Sequence, residues 1–274
     1  MKNQGNPQNS ISTGLGDQNR TMETILETQG LTKKFGGLTA VDQVDIGFRR
    51  GIITAIIGPN GAGKTTFFNL LSGLLEPTGG EIIYKGEVIT NLSPEERSQK
   101  GIARSFQLTQ IFPALTTLEN VRVAAQSRGK SSTTYNLLTN AEKYGQFTNK
   151  ARDLLKRVGL EEEFYTRAGN LTRANRRKLD VTIAFATDPE ILLLDEPTAG
   201  MAMEEIPEVL SVIENLNREQ EELAIVLIEH NMDIVMDISD TICVLADGKK
   251  LAEGTSNEIR EDERVQQAYL GALR

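Results

Sequence analysis

The stretch Gly58 to Thr66, GPNGAGKTT, constrains this 274-residue chain more than any other. It follows a continuously apolar run, Ile53 to Ile57 (ITAII), and precedes TTFFNLLSGL, which reads as a helix. The spacing G-x-x-x-x-G-K-[ST] in that strand-then-helix setting is that of a phosphate-binding loop. Its glycines let successive backbone N–H groups turn inward around a phosphate chain, and the helix N-terminus adds donors and partial positive charge. The residues expected to hold a nucleotide are therefore Gly58, Pro59, Asn60, Gly61, Ala62, Gly63, Lys64, Thr65 and Thr66. Lys64 is placed for the β- and γ-phosphates and the Thr65 hydroxyl for Mg²⁺. The loop alone does not separate ATPases from GTPases and kinases. A GTPase needs Asn-Lys-x-Asp after a strand, and the nearest match, NKAR at 149–152, lacks the acid and lies in an amphipathic helical stretch.

A second segment completes the site. Ile191 to Pro197, ILLLDEP, is a buried strand ending in two acids, and the C-terminal tip of such a strand is where an open α/β sheet binds ligand. Asp195 can hold Mg²⁺ through water, and Glu196 is suited to take a proton from attacking water.

The remaining pattern alternates strands and helices. VDIGF puts Val44, Ile46 and Phe48 on one face, as a half-buried antiparallel strand does, and EIIYKG (81–86) ends in a turn glycine. Ser93, Pro94 and Glu96 give a capping box with Pro at the first helical position, and Thr116 and Glu119 repeat the capping-box spacing. Phe147, Ala151, Leu154, Leu155 and Val158 share one helical face. Gly and Ser at 127–132 read as a flexible loop. Strands return at EILLLD (190–195), LAIVLI (223–228) and TICVL (241–245).

Two sheet-forming regions flanking a helical insert give an α/β fold with a mostly parallel sheet, an antiparallel β subdomain and a helical subdomain. The expected division is a disordered tail at 1–22, rich in Asn, Gln, Gly and Ser, followed by one functional domain at 23–274. Within it, 23–107 and 188–255 form the core with the β subdomain, 108–187 the helical subdomain and 256–274 the C-terminal helices. Met22 is an alternative start.

Composition excludes several classes. A net charge of −8 argues against a nucleic-acid binder, which must neutralise phosphates with Lys and Arg. The single cysteine, Cys243, allows no internal disulfide framework and sits in an apolar run as a small hydrophobe. The aliphatic run Leu223 to Ile228 is far short of the ~20 residues a membrane helix needs, so a membrane role must pass through a partner. No secretory signal is read, which places the chain in the cytosol and makes the sequons at Asn19, Asn91 and Asn170 chance matches. The one histidine, His230 in IEHNM, is undecided between packing and catalysis on local grounds.

With these motifs in place the chain resembles an ATP-binding cassette protein, the nucleotide-hydrolysing subunit of ABC systems, over residues 24–272. SFQ ends in Gln107 where the family has its Q-loop, which senses Mg²⁺ and the γ-phosphate and contacts the transporter. Phe35 in KKFGG stands where an aromatic stacks on adenine, EPTAGM matches the loop after the catalytic glutamate, and His230 takes the place of the switch histidine. The resemblance thus implies Glu196, His230, Gln107 and Lys64 as catalytic residues, ATP as the nucleotide, and Thr65, Gln107 and Asp195 around Mg²⁺. GIARSFQ, PALTTLENV and ERVQQAYLG are similar to the branch serving importers of branched-chain amino acids, with urea importers nearby.

Such cassettes pair head to tail on the cytoplasmic face of the membrane, with permease subunits and an extracytoplasmic solute-binding protein as partners. The segment LTQIFPALTTLENV is the expected docking surface, with Ile111, Phe112 and Leu115 as its apolar contacts. Each ATP then meets the partner's signature loop, usually Leu-Ser-Gly-Gly-Gln. Here that loop is LTRAN, 171–175: Thr172 keeps the hydroxyl and Ala174 the N–H, but Arg173 adds bulk, and Ala202 replaces the acid or amide of the D-loop. A Cβ at Ala174 costs ~1–2 kcal/mol if the position needs left-handed dihedrals. Because the departures all act on the partner's nucleotide, a heterodimer with a second cassette is expected, a homodimer being the other arrangement. A soluble ATPase of DNA repair, translation or iron–sulfur assembly is the competing class. The first would carry long coiled-coil or zinc-bearing insertions, the second two cassettes, and the third is of similar size.

Overall fold

Strand Ile53–Ile57 (β3) is buried at all five positions, as its unbroken apolar run requires. It lies inside a six-stranded sheet ordered β10-β9-β3-β8-β7-β6, the others being Ile102–Ser105 (β6), Ile191–Asp195 (β7), Ala224–Ile228 (β8), Thr241–Ala246 (β9) and Lys249–Gly254 (β10). The sheet is parallel except for the β9–β10 hairpin. A four-stranded antiparallel sheet, ordered β2-β1-β4-β5, is formed by Thr24–Phe35 (β1), Leu38–Arg49 (β2), Gly79–Tyr84 (β4) and Glu87–Val88 (β5). This computed structural model describes residues 23–105, 111–127 and 139–271. Gln107, the expected tail at 1–22 and residues 128–132 of the expected flexible loop lie outside the described residues; Ser127 ends a helix.

The helices are Lys64–Leu71 (α1), Pro94–Lys100 (α2), Thr117–Ser127 (α3), Thr139–Arg157 (α4), Arg173–Phe185 (α5), Ile206–Glu219 (α6), Met232–Ile238 (α7), Ser256–Glu261 (α8) and Glu263–Gly271 (α9). Both capping boxes form. Ser93 and Glu96 exchange bonds ahead of α2, and Thr116 and Glu119 do so at the start of α3. Along α4 and the residue after it the five-residue face is where sequence periodicity placed it, with Ala151, Leu154, Leu155 and Val158 buried and Phe147 packed against the same core.

Alternation along β7 shows how the layers divide. Ile191 and Leu193 face a core shared with β1, β2 and α1, while Leu192 and Leu194 face one shared with α3 to α6. Covering a sheet on both sides is what makes its strands continuously apolar. Cys243 is fully buried in the first of these cores, and burial pushes its thiol well up, so it is an inert hydrophobe. Among the described residues no helix is long and apolar enough to cross a membrane. Strand β6 was read as part of a motif rather than as a strand, because IARS carries two polar residues in four.

Candidate active site

Backbone geometry dictates the residue at Gly63. It caps α1 at φ 94°, and a Cβ there would collide with the Ala40 carbonyl oxygen. At Gly58, φ 152°, a Cβ would meet the Leu245 carbonyl. Only glycine lets the loop pass this close to β2 and β9. The loop wraps a cavity of about 640 Å³, lined by Asn60, Gly61, Ala62, Gly63, Lys64, Thr65 and Thr66, with Phe35, Glu196 and His230 around it. Leu38, Thr39, Ala40, Asp247 and Gly248 complete the wall and were not read from the sequence.

Gly58 and Pro59, also expected to hold the nucleotide, do not line this cavity and instead bind Lys64. Its Nζ donates to the carbonyls of Gly58 at 2.6 Å and Pro59 at 3.0 Å. Burial pulls the ammonium's pKa down, and the Glu196 carboxylate acts against that. Backbone carbonyls are weaker partners for an ammonium than phosphate oxygens, so the side chain is held where a phosphate can take it over.

Glu196 leaves β7 in the left-handed region at φ 48°, which costs a non-glycine residue about 1–2 kcal/mol. Strain retained on a cavity wall points to function. Its N–H donates to the Ile228 carbonyl at 3.0 Å, extending the β7–β8 ladder one residue past the Asp195–Ile228 pair. The residue following Glu229 is thereby brought alongside. His230 Nε2 lies 2.7 Å from Glu196 Oε1. An ionised carboxylate can only accept, so the proton of this contact sits on Nε2.

Asp195 turns away from the cavity. It is 2% exposed, and Oδ2 accepts from Arg104 of β6 at 2.7 Å. Arg104 also donates to Asn69 and Ser72, anchoring the pair to α1 and the residue after it. On the cavity wall the Thr65 hydroxyl is an oxygen donor of the kind a hard divalent cation takes, while the Asp195 carboxylate is engaged by Arg104. Among the described residues no group of three or more His, Cys, Asp or Glu side chains could hold a metal by itself. Mg²⁺ needs only one or two protein oxygens, with phosphate and water supplying the rest.

The LTRAN segment does not line this cavity, and it decides the condition set on Ala174. Ala174 is the second residue of α5, 6% exposed and right-handed, so its Cβ carries no left-handed penalty. Thr172 is the N-cap of α5, its Oγ accepting the Asn175 N–H at 3.2 Å. Neither Thr172 nor Ala174 lines the cavity that holds Lys64. The Arg173 guanidinium donates to the Gly200 carbonyl and so folds onto the loop after β7. Arg177 was missed altogether. Its guanidinium donates to the carbonyls of Pro197 at 2.7 Å, Asp195 at 3.4 Å and Glu196, tying α5 to the end of β7 and the loop after it. Arg177 shares the buried face of α5 with Ala174, Lys178 and Val181, at i, i+3, i+4 and i+7, but two of those four are charged, so no apolar stripe marks it in the sequence.

Comparison with known proteins completes the picture. The profile of the ABC transporter family matches residues 41–199, more than half the chain. This chain belongs to the ABC transporter family. A second profile, of the branched-chain amino acid ATP-binding cassette transporter, matches residues 249–272, covering β10, α8 and α9. The cassette is 40% identical over 252 residues to the high-affinity branched-chain amino acid transport ATP-binding protein LivG of Salmonella typhimurium, covering 91% of this chain and 98% of that protein. It is 40% identical over 254 residues to the BraF protein of the same description from Pseudomonas aeruginosa, covering 90% and 98%. Among solved structures it is similar to an ATP-binding cassette of an ABC transporter in its ADP conformation, at TM-score 0.79 and 30% identity over 91% of this chain and 99% of that one. The α/β phosphate-loop fold read from the sequence is the fold of that relative. An ABC cassette is an ATP-binding, ATP-hydrolysing domain, and this one is an ATPase.

Proposed function

We propose that this ATPase energises the uptake of branched-chain amino acids as the cytoplasmic, membrane-peripheral subunit of an importer. The observation that carries the catalytic part is the 2.7 Å contact between His230 and Glu196 on the wall of the phosphate-loop cavity. In this reading the loop amides and Lys64 bind the phosphates and Phe35, 46% exposed beside the cavity, offers its ring to the adenine. Glu196 takes the proton of the attacking water, a role worth roughly 10²–10⁴ in rate. His230 orients that carboxylate and faces the γ-phosphate. Thr65, Asp195 and Gln107 would hold Mg²⁺, which offsets phosphate charge when bound.

Hydrolysis does mechanical work only if ATP favours the closed over the open pair of cassettes. Thr172, exposed and outside the lining of this chain's own cavity, would meet the nucleotide of a second cassette, with Ala174 behind it in the first turn of α5. Arg173 engaged on Gly200 leaves that face unlike a glycine-rich signature, and this favours a heterodimer whose other member supplies a standard one. Permease subunits and an extracytoplasmic solute-binding protein complete the system. The names of the similar proteins support amino-acid transport over a soluble assembly pathway such as iron–sulfur cluster formation.

Purification of the tagged chain from detergent-solubilised membranes tests this. Integral membrane proteins should accompany it, and the reconstituted complex should hydrolyse ATP faster when leucine and the solute-binding protein are supplied. Co-purification with soluble assembly factors alone would overturn the transport reading.

A further inference from the structure

Beyond their last ladder bond, the chain segments leaving β7 and β8 are joined by two side-chain links. One is the Glu196–His230 contact, whose imidazole is 48% exposed at the cavity. The other lies behind it, in the dry interior. Glu229, 4% exposed, accepts the Thr198 N–H at 2.9 Å and the Thr198 hydroxyl at 2.7 Å on Oε1. Its Oε2 accepts the N–H of His230 at 3.2 Å. A buried carboxylate is costly unless its oxygens are bonded, and here three donors converge on it. Those donors come from the two residues that matter for geometry. One stands two positions after Glu196, and the other is the peptide of His230 itself. Thr198 is also 6% exposed, so both partners of the link are shielded from water.

We infer that Glu229 is a positioning residue, which fixes the His230 peptide to the loop carrying Glu196 and so holds the imidazole within hydrogen-bond reach of the catalytic carboxylate. Without it, the His230 segment keeps its covalent attachment to β8 but loses its tie across to Thr198. Glutamine at this position retains an acceptor for Thr198 and presents an amide N–H₂, a donor, to the His230 N–H. The link to His230 is then lost while the volume is kept. This inference rests on the proposed roles of Glu196 and His230, and its test separates the two.

Initial ATPase rates of the assembled complex are compared with this chain as wild type, Glu229→Gln, His230→Ala, the double variant and Glu196→Gln, each corrected for folded fraction and nucleotide affinity. Glu229→Gln should lower kcat about tenfold, the scale of one hydrogen bond to a charged group, with KM for ATP unchanged. In the His230→Ala background the same substitution should cost less than about twofold, because residues acting through one another are not additive. Thr198→Val, which keeps the N–H and loses the hydroxyl, should show a smaller loss of the same kind and serves if Glu229→Gln folds poorly. Wild-type kcat in Glu229→Gln and Thr198→Val, or an equal loss with and without His230, overturns the positioning role. Wild-type rates in Glu196→Gln and His230→Ala would instead overturn the site assignment on which it rests.

Discussion

Replacing Arg97 with Met should destabilise this protein by about 3–5 kcal/mol, because four buried backbone carbonyls lose a donor at ~1–3 kcal/mol each with partial relaxation. Arg97 is 1% exposed, and all its visible partners are backbone carbonyls. Nη1 donates to Leu70 at 2.7 Å and Leu71 at 2.8 Å, Nη2 to Thr90 at 2.8 Å, and Nε to Leu92 at 3.1 Å. Leu70 and Leu71 end α1, the phosphate-loop helix, which has no basic residue in its own last turn. Arg97 therefore supplies from α2 both the donors and the positive charge that a helix C-terminus favours. Burial lowers its pKa to about 10, so the guanidinium remains charged at neutral pH. Each hydrogen bond to a charged group contributes ~1.5–3 kcal/mol net, but the four do not sum, since freed carbonyls relax and recruit water. Methionine fills most of the volume, which keeps the cavity contribution small. Urea unfolding measures the loss, with a fall in the thermal midpoint of roughly 10 °C at the usual conversion. Arg97→Lys, with a compact ammonium in place of the fork, should recover about half. A Met variant within about 1 kcal/mol of wild type, or a Lys variant equal to wild type, would refute the argument.

Asp180 offers a pH-dependent case. Burial raises its carboxyl to about 6, the neighbouring Arg177 acting against that. The folded chain thus binds the extra proton between pH 4 and 6, so this group's contribution is complete at pH 4 and is lost as pH passes 6. The stability advantage of Asp180→Asn should therefore grow between pH 4 and 7, by up to about 3 kcal/mol; an advantage equal at both pH values would contradict the assignment. On the segment expected to dock a membrane subunit, Phe112 is 56% exposed while Ile111 packs partly against the core. Charge at Phe112 should uncouple ATPase activity from transport without unfolding the chain, and unchanged transport would dispose of that role. In a complex with a second cassette, Thr172→Ala should reduce turnover by less than about threefold, and a loss equal to that of Glu196→Gln would refute the asymmetric pairing.

Much of this architecture was legible because it depends on local rules. The strand–loop–helix at 53–71, the capping boxes at Ser93 and Thr116, and the apolar face of α4 each follow from spacing alone. The family resemblance placed His230 and Glu196 in one site, but their contact was not read, since the two meet only because β7 and β8 are neighbours. Arg97, Arg104, Arg177 and Glu229 were not legible. Each is a charged side chain buried by partners distant in sequence or held by backbone atoms, and an apolar pattern carries no mark of such a contact. The backbone of Ala174 was left conditional for a related reason, since its right-handed conformation is set by the helix that Thr172 caps.

The central claim, that Glu196 is the base for hydrolysis in a site that binds ATP through the 58–66 loop, is tested most directly by one measurement. ATP binding and turnover are determined side by side for the Glu196→Gln variant in the assembled complex. The account predicts nucleotide affinity within about twofold of wild type and turnover reduced roughly 10²-fold or more. Turnover at the wild-type rate would contradict it.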